Sequence, residues 1–216
     1  MKTGSYWQRR VRRHLFLLAG SGGLAGGIFW SLPSQHIAFR LSMASAYVGL
    51  ALLSASLVLG PWNVLRGRPN PVNIDLRRDI GIWAGSVGLV HTAIGLQVHM
   101  KGQISLYFLF PPDARTFTRL RYDPFGMANY LGAFAAALLL MLLTLSNDVS
   151  LRWLGVRRWK RLQRWNYAAI VLVLLHALVY QVIEKRSLAG VCGVLSMMMA
   201  LGIIRVLGRR ADRSRS

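Results

Sequence analysis

The chain has 216 residues, 54% of them hydrophobic, with a mean hydropathy of +0.38. That profile excludes an ordinary soluble domain and indicates several membrane spans. The net charge of +20 and a pI of about 11.7 pass a first screen for nucleic-acid binders. The charges, however, cluster in the gaps between apolar runs, as a membrane protein marks its cytoplasmic side, so no nucleic-acid partner is expected. The one cysteine, Cys192, lies inside an apolar run. It cannot form an internal disulfide or a cysteine-based metal site, and reads as packing filler.

Six apolar runs follow in chain order, at roughly 15–32, 37–60, 80–99, 126–146, 166–183 and 188–207. Each is close to the ~20 residues a helix needs to cross the hydrocarbon core. Backbone groups in lipid must pair within their own segment, so all six read as helices. The expected fold is all-α: an integral membrane six-helix bundle over 15–207, with basic tails at 1–14 and 208–216 and both termini cytoplasmic.

The first run, "RRVRRH" followed by "LFLLAGSGGLAGGIFWSL", has the basic start and apolar stretch of a signal peptide. It is longer than a usual signal core, and "SLPSQH" is a poor cleavage site, so it reads as a retained helix. Its Gly20, Gly23 and Gly27 share one face, which suits close helix packing. His14 sits among arginines at this helix's edge and His36 in a short outer loop; both read as flank residues.

The third run contains "GLVHTAIG" and so places an imidazole, His91, about 12 residues into a membrane-length segment. The fifth run places His176 about 10 residues in. Both runs cross in the same direction, and at 1.5 Å per residue the two rings should sit at similar depth. Intramembrane ionisable groups are costly and usually face a bundle interior or a functional site. Neutral imidazole is a common metal ligand, and two axial imidazoles can hold a haem iron for electron transfer. Gly81, Gly85, Gly88 and Gly95 share the His91 stripe within about 120° of arc, so a flat macrocycle could approach the backbone there. Simple helix packing is the alternative for those glycines, and a hydrogen bond to a neighbouring helix is the alternative for His91. His99 lies about 80° round the helix and some 12 Å further out. It reads as a solvated interfacial residue, with a second outer site as the alternative.

The loop at about 100–125 is the longest. Its "ISLYFLF" and "PPDARTFTRLRYDP" mix aromatics with arginine, as expected at the outer membrane–water interface; a lid or partner-docking surface is the alternative. The fourth loop, "RWLGVRRWKRLQRW", reads either as a positive-inside signal or as a face for anionic lipid or an acidic donor.

Twenty of the 27 Lys and Arg fall on the side of the N-terminus: Lys2, Arg9, Arg10, Arg12, Arg13, Arg66, Arg68, Arg77, Arg78, Arg152, Arg157, Arg158, Lys160, Arg161, Arg164, Arg205, Arg209, Arg210, Arg213 and Arg215. Arg40, Lys101, Arg115, Arg119, Arg121, Lys185 and Arg186 fall on the other. That bias places both termini in the cytoplasm and favours an even number of spans. No phosphate-binding loop, dinucleotide fingerprint, nucleophile elbow or HExxH is present. The seven carboxylates are few and read as lying near the surface, none at mid-helix depth, which argues against a proton-coupled carrier.

The stretches "RRDIGIWAGSVGLVHTAIG" and "YDPFGMANYLGAFAAALLLMLLTLSNDVSLRWLGVRRWKRLQRWNYAAIVLVLLHALVY" resemble the ferric-reductase-like transmembrane domain over roughly residues 77–185. Within it they resemble the haem-binding membrane subunits of bacterial periplasmic methionine sulfoxide reductase systems. The passage "LTLSND…LG…RWKRLQR…Y…LLH" carries most of this likeness. The resemblance implies a six-helix b-type cytochrome in the bacterial inner membrane. It would take electrons from quinol or a cytoplasmic flavin reductase and pass them to a periplasmic reductase, a molybdenum-dependent one among the candidates. His91 and His176 match the positions of haem ligands, with Gly88 and Gly95 at the cofactor, and FMN is a further cofactor to consider. The family usually has a histidine in "LHR" where this chain has Gln163 in "LQR". A further third-helix histidine is also absent, since 104–105 reads Ile104-Ser105. One haem b is therefore expected, in an electron-transfer component rather than a stand-alone enzyme. A haem-free structural or assembly subunit of the same fold is the rival reading, and a small-molecule or ion carrier a weaker third.

Overall fold

The computed structural model describes residues 3–33, 36–67, 74–100, 102–185 and 188–213. Of the charges counted above, Lys2, Arg68, Lys101, Arg186 and Arg215 lie outside the described residues. Eight helices are present among them: α1 Thr3–Ser31, α2 Ile37–Leu65, α3 Ile74–Gly95, α4 Ser105–Phe108, α5 Pro124–Thr144, α6 Asp148–Gln163, α7 Asn166–Ile183 and α8 Leu188–Arg213. All six apolar runs are helical over most of their length; the third stops at Gly95, which leaves His99 beyond the helix. The basic stretches expected as tails are helical too: α1 starts within the first and α8 runs on through Arg213.

Local signals set several boundaries. Asp123 caps α5 by accepting the Gly126 N–H at 2.8 Å, with Pro124 in the first turn, where its missing N–H costs nothing. Asn147 caps α6 in the same way through the Ser150 N–H at 2.7 Å. Inside α6, Gly155 has φ +69°, a left-handed conformation that glycine adopts without Cβ strain.

Helices α2, α3, α5, α7 and α8 close a ring, each packed on the next and α8 on α2, while α1 leans on α2 and α3 from outside. The core inside the ring contains Leu50, Leu53 and Leu57 of α2, Ala84 of α3, Leu139 and Leu142 of α5, Ala169, Ile170 and Leu174 of α7 and Val194 of α8. Close approach is built in where α8 crosses α2: a Cβ on Gly208 would come within 2.7 Å of Pro61. The glycines of α1 do not serve that purpose. Gly20, Gly23 and Gly27 face open space, because α1 lies at the periphery and turns that face away from its neighbours. Cys192 is likewise exposed on the outer face of α8 rather than filling the core.

Contacts between helix ends fix the directions. Arg10 and Arg13 of α1 meet Asp79 at the start of α3, Arg78 of α3 meets Asp148 of α6, and Gly208 of α8 meets Pro61 of α2. The start of α1 and the close of α8 therefore lie at one end of the bundle, the terminal end. The opposite, distal end carries the close of α3, α4, the start of α5 and the close of α7. Four helical stretches among the described residues are long and apolar enough to cross a membrane: Ile37–Leu65, Pro124–Thr144, Asp148–Ile183 (which joins α6 to α7) and Gly190–Ala211. Helix α1, diluted by glycine, and α3, which opens on Asp75, Arg77, Arg78 and Asp79, are not among the four.

Candidate functional site

Helices α3 and α7 bring His91 and His176 together, with ring centres 6.4 Å apart and ring planes at 72°. Each ring is held from behind by main chain. His91 Nδ1 donates to the Ser42 carbonyl of α2 at 2.9 Å, and His176 Nδ1 donates to the Ala128 carbonyl of α5 at 2.7 Å. A carbonyl can only accept, so Nδ1 carries the hydrogen in both rings and Nε2 keeps its lone pair.

The two rings face one cavity of about 400 Å³ in the distal half of the ring of helices. Leu50, Leu53, Ala84, Leu139, Val173 and Val194 form apolar wall, and no Lys, Arg, Asp or Glu among the described residues lines it. Glycine creates the room. Gly88 and Gly95 line the cavity beside His91, as expected. The rest of the stripe does other work, because α3 changes neighbours along its length. Gly85 packs on Leu139 and Leu143 of α5, and Gly81 faces open space. Gly132 of α5 was not anticipated. A Cβ there would stand 2.8 Å from Cε1 and Nδ1 of His176, so only glycine admits the ring in its present position. Ala128 and Gly132, four residues apart on α5, share a face, and this pair of small residues was the available signal.

The long loop belongs to the site. Its α4 inserts Tyr107, 1% exposed, and Phe108 into the cavity wall. Arg121 pins the loop: it donates to the Leu106 carbonyl at 2.9 Å and to both oxygens of Asp123, and lies over the Phe110 and Phe125 rings. Phe117, Leu120 and Tyr122 remain exposed on the other face of the loop.

His99 is partly exposed rather than fully solvated. It lines the same cavity. Its ring stacks on Tyr180 with centres 6.0 Å apart, meets the edge of Phe125, and approaches Glu184 Oε1 at 3.5 Å through Nε2. Its N–H donates to the Tyr107 hydroxyl, which donates in turn to the Gly95 carbonyl. His14 is likewise engaged, accepting from Trp83 Nε1 at 3.0 Å and lying 3.5 Å from Asp79. His36 stands at the cap of α2, exposed.

Asp79 overturns the expectation that every carboxylate lies near the surface. It is 0% exposed, enclosed by Arg10 at 3.3 Å, Arg13 at 3.0 Å and His14. Gln163 is remote from the cavity, at the terminal end, and its Nε2 is buried without a hydrogen-bond partner among the described residues, as is Asn166 Oδ1. The arginines of α6 are exposed, and Trp159 ties the helix to the Leu145 carbonyl at 2.9 Å.

Apolar membrane-length helices around a shared internal cavity define a multi-pass membrane protein. Its sequence matches the family described as ferric reductase like transmembrane component over residues 45–175, more than half of the chain, and the protein belongs to that family. It is thereby a membrane electron-transfer component. The matched stretch includes His91 and ends one residue short of His176.

Proposed function

We propose that the protein is a b-type cytochrome whose single haem is held by His91 and His176. The observation that carries this reading is the paired rings, 6.4 Å apart with both Nδ1 atoms engaged by main-chain carbonyls. His91 and His176, each with Nδ1 engaged and Nε2 bearing the lone pair, would hold one haem iron between them. No group of three or more His, Cys, Asp or Glu able to hold a metal ion is present among the described residues. A donor set of two suits a metal that brings its own equatorial ligands, and an uncharged apolar cavity suits a macrocycle. Bound there, haem supplies reversible one-electron storage.

The remaining roles belong to the chain. The Ser42 and Ala128 carbonyls fix the tautomer and the orientation of the two rings. Gly88, Gly95 and Gly132 keep the walls thin, and α4 with Arg121 closes the distal side. Six spans, with the basic terminal end in the cytoplasm of a bacterium and the distal end in the periplasm, agree with the charge bias. In this orientation the site lies nearer the periplasmic face. The electron donor is quinol or a cytoplasmic flavin reductase, with FMN as an accessory carrier. The acceptor is a periplasmic reductase, as in the MsrQ (YedZ) subunits of methionine sulfoxide reductase systems. The exposed arginines of α6 offer a face for an acidic donor or anionic lipid.

Absorbance of the purified protein tests this reading. A Soret band that sharpens and shifts on dithionite reduction is expected, abolished or altered in His91→Ala and in His176→Ala. Unchanged spectra in both variants would overturn the ligand assignment. A protein that stays colourless after haem is added supports the haem-free subunit instead.

A further inference from the structure

The cavity wall is uneven in one respect that the electron-carrier reading does not use. Among the described residues, and apart from His91 and His176, His99 is its one lining side chain able to carry positive charge. Three polar groups beside it are committed to one another or to main chain. Tyr180 donates to Asn129 Oδ1 at 2.8 Å, Asn129 Nδ2 donates to the Phe125 carbonyl at 2.9 Å, and the Tyr107 hydroxyl is used by His99 N–H and the Gly95 carbonyl. His99 Nε2 meets Glu184 at ion-pair distance, and both side chains are about a quarter exposed, at 27% and 28%. Its Nδ1 has no hydrogen-bond partner among the described residues.

A macrocycle bearing carboxylates has to place them somewhere, and a carboxylate in an uncharged apolar wall is costly. We propose that His99 is the carboxylate-binding residue of the cavity, which sets the haem with its carboxylate edge toward the distal end. Glu184 meets Nε2 on one side and leaves Nδ1 to meet the haem carboxylate on the other. Tyr180 and Phe125 fix the ring in that place, and the Tyr107 hydroxyl holds the main-chain N–H of His99. This inference rests on the haem reading above.

The test uses the full chain, expressed under haem limitation, held in nanodiscs and titrated with iron protoporphyrin IX or with its dimethyl ester. Both have the same metal and macrocycle; only the first carries carboxylates. The wild type should bind the free acid roughly ten-fold more tightly than the ester, the scale of one charge-assisted hydrogen bond. His99→Phe keeps an aromatic ring at the position and should bind both equally, at the affinity of the ester. His99→Lys should restore the preference. If the wild type shows no preference, or His99→Phe keeps it, while the Soret band still depends on His91 and His176, the role of His99 falls and the cytochrome stands. If neither compound gives a Soret shift that depends on His91 and His176, both readings fall.

Discussion

A methyl group at position 132 would decide where the His176 ring can stand. The added Cβ of Gly132→Ala meets Cε1 and Nδ1 at 2.8 Å, and the ring cannot yield freely because Nδ1 is tied to the Ala128 carbonyl. Overpacking of this kind costs about 1–3 kcal/mol. Gly132→Ala should therefore lose or shift the Soret band while circular dichroism stays helical. Gly81→Ala, which meets nothing within 4 Å, should leave the spectrum as it is. At this scale the sequence exposed the two histidines, because an imidazole deep in an apolar run stands out. It did not expose Gly132, whose importance depends on a helix 44 residues further along the chain. Nor did it show that His99 returns to the same cavity, since that depends on α3 ending at Gly95 and the chain turning back.

Single elements are held in place by charge. Asp123 caps α5 and grips Arg121 of the loop. Partial burial alone would push its carboxyl up, but hydrogen bonds from Arg121 and the Gly126 N–H outweigh this and hold it below the ordinary carboxylate range. A carboxyl depressed in the folded state adds stability that is complete above its unfolded pKa and drains away as pH falls through the folded one. Asp123→Ala should cost about 1 kcal/mol at neutral pH. In thermal melts the gap to wild type should narrow steadily in strong acid. Helix α1 depends on a different carboxylate. Asp79→Ala would leave Arg10 and Arg13 without their shared partner, a loss on the order of 3 kcal/mol for a buried pair. Limited proteolysis should then cut between α1 and α2 much faster than in wild type. The apolar runs were legible as helices because their length and composition admit little else. The partners of Asp79 were not legible, since a position at the edge of an apolar run looks exposed until α1 is laid across it.

At the scale of the molecule, the helix directions place α6, the start of α1 and the close of α8 together, with the α4 loop opposite. An impermeant maleimide applied to intact spheroplasts of a Cys192→Ser background should therefore label Phe117→Cys and spare Arg158→Cys; inverted vesicles should give the reverse. Labelling of both from one side would overturn the proposed topology. The charge bias predicted which loops share a side, and the end-to-end contacts agree with it. The closed ring of five helices with α1 outside was not legible, because apolar runs carry no record of which neighbour each one meets. The two histidine tethers have a consequence of this kind. Both end on peptide oxygens, which every amino acid possesses, with the Ser42 hydroxyl further off at 3.4 Å from His91 Nδ1, so substitutions at 42 and 128 can accumulate over generations while the shorter tethers keep the imidazoles on their heading. The orientation of the pair is thus inherited through the path of the backbone, and comparing letters at those two sites would never disclose it.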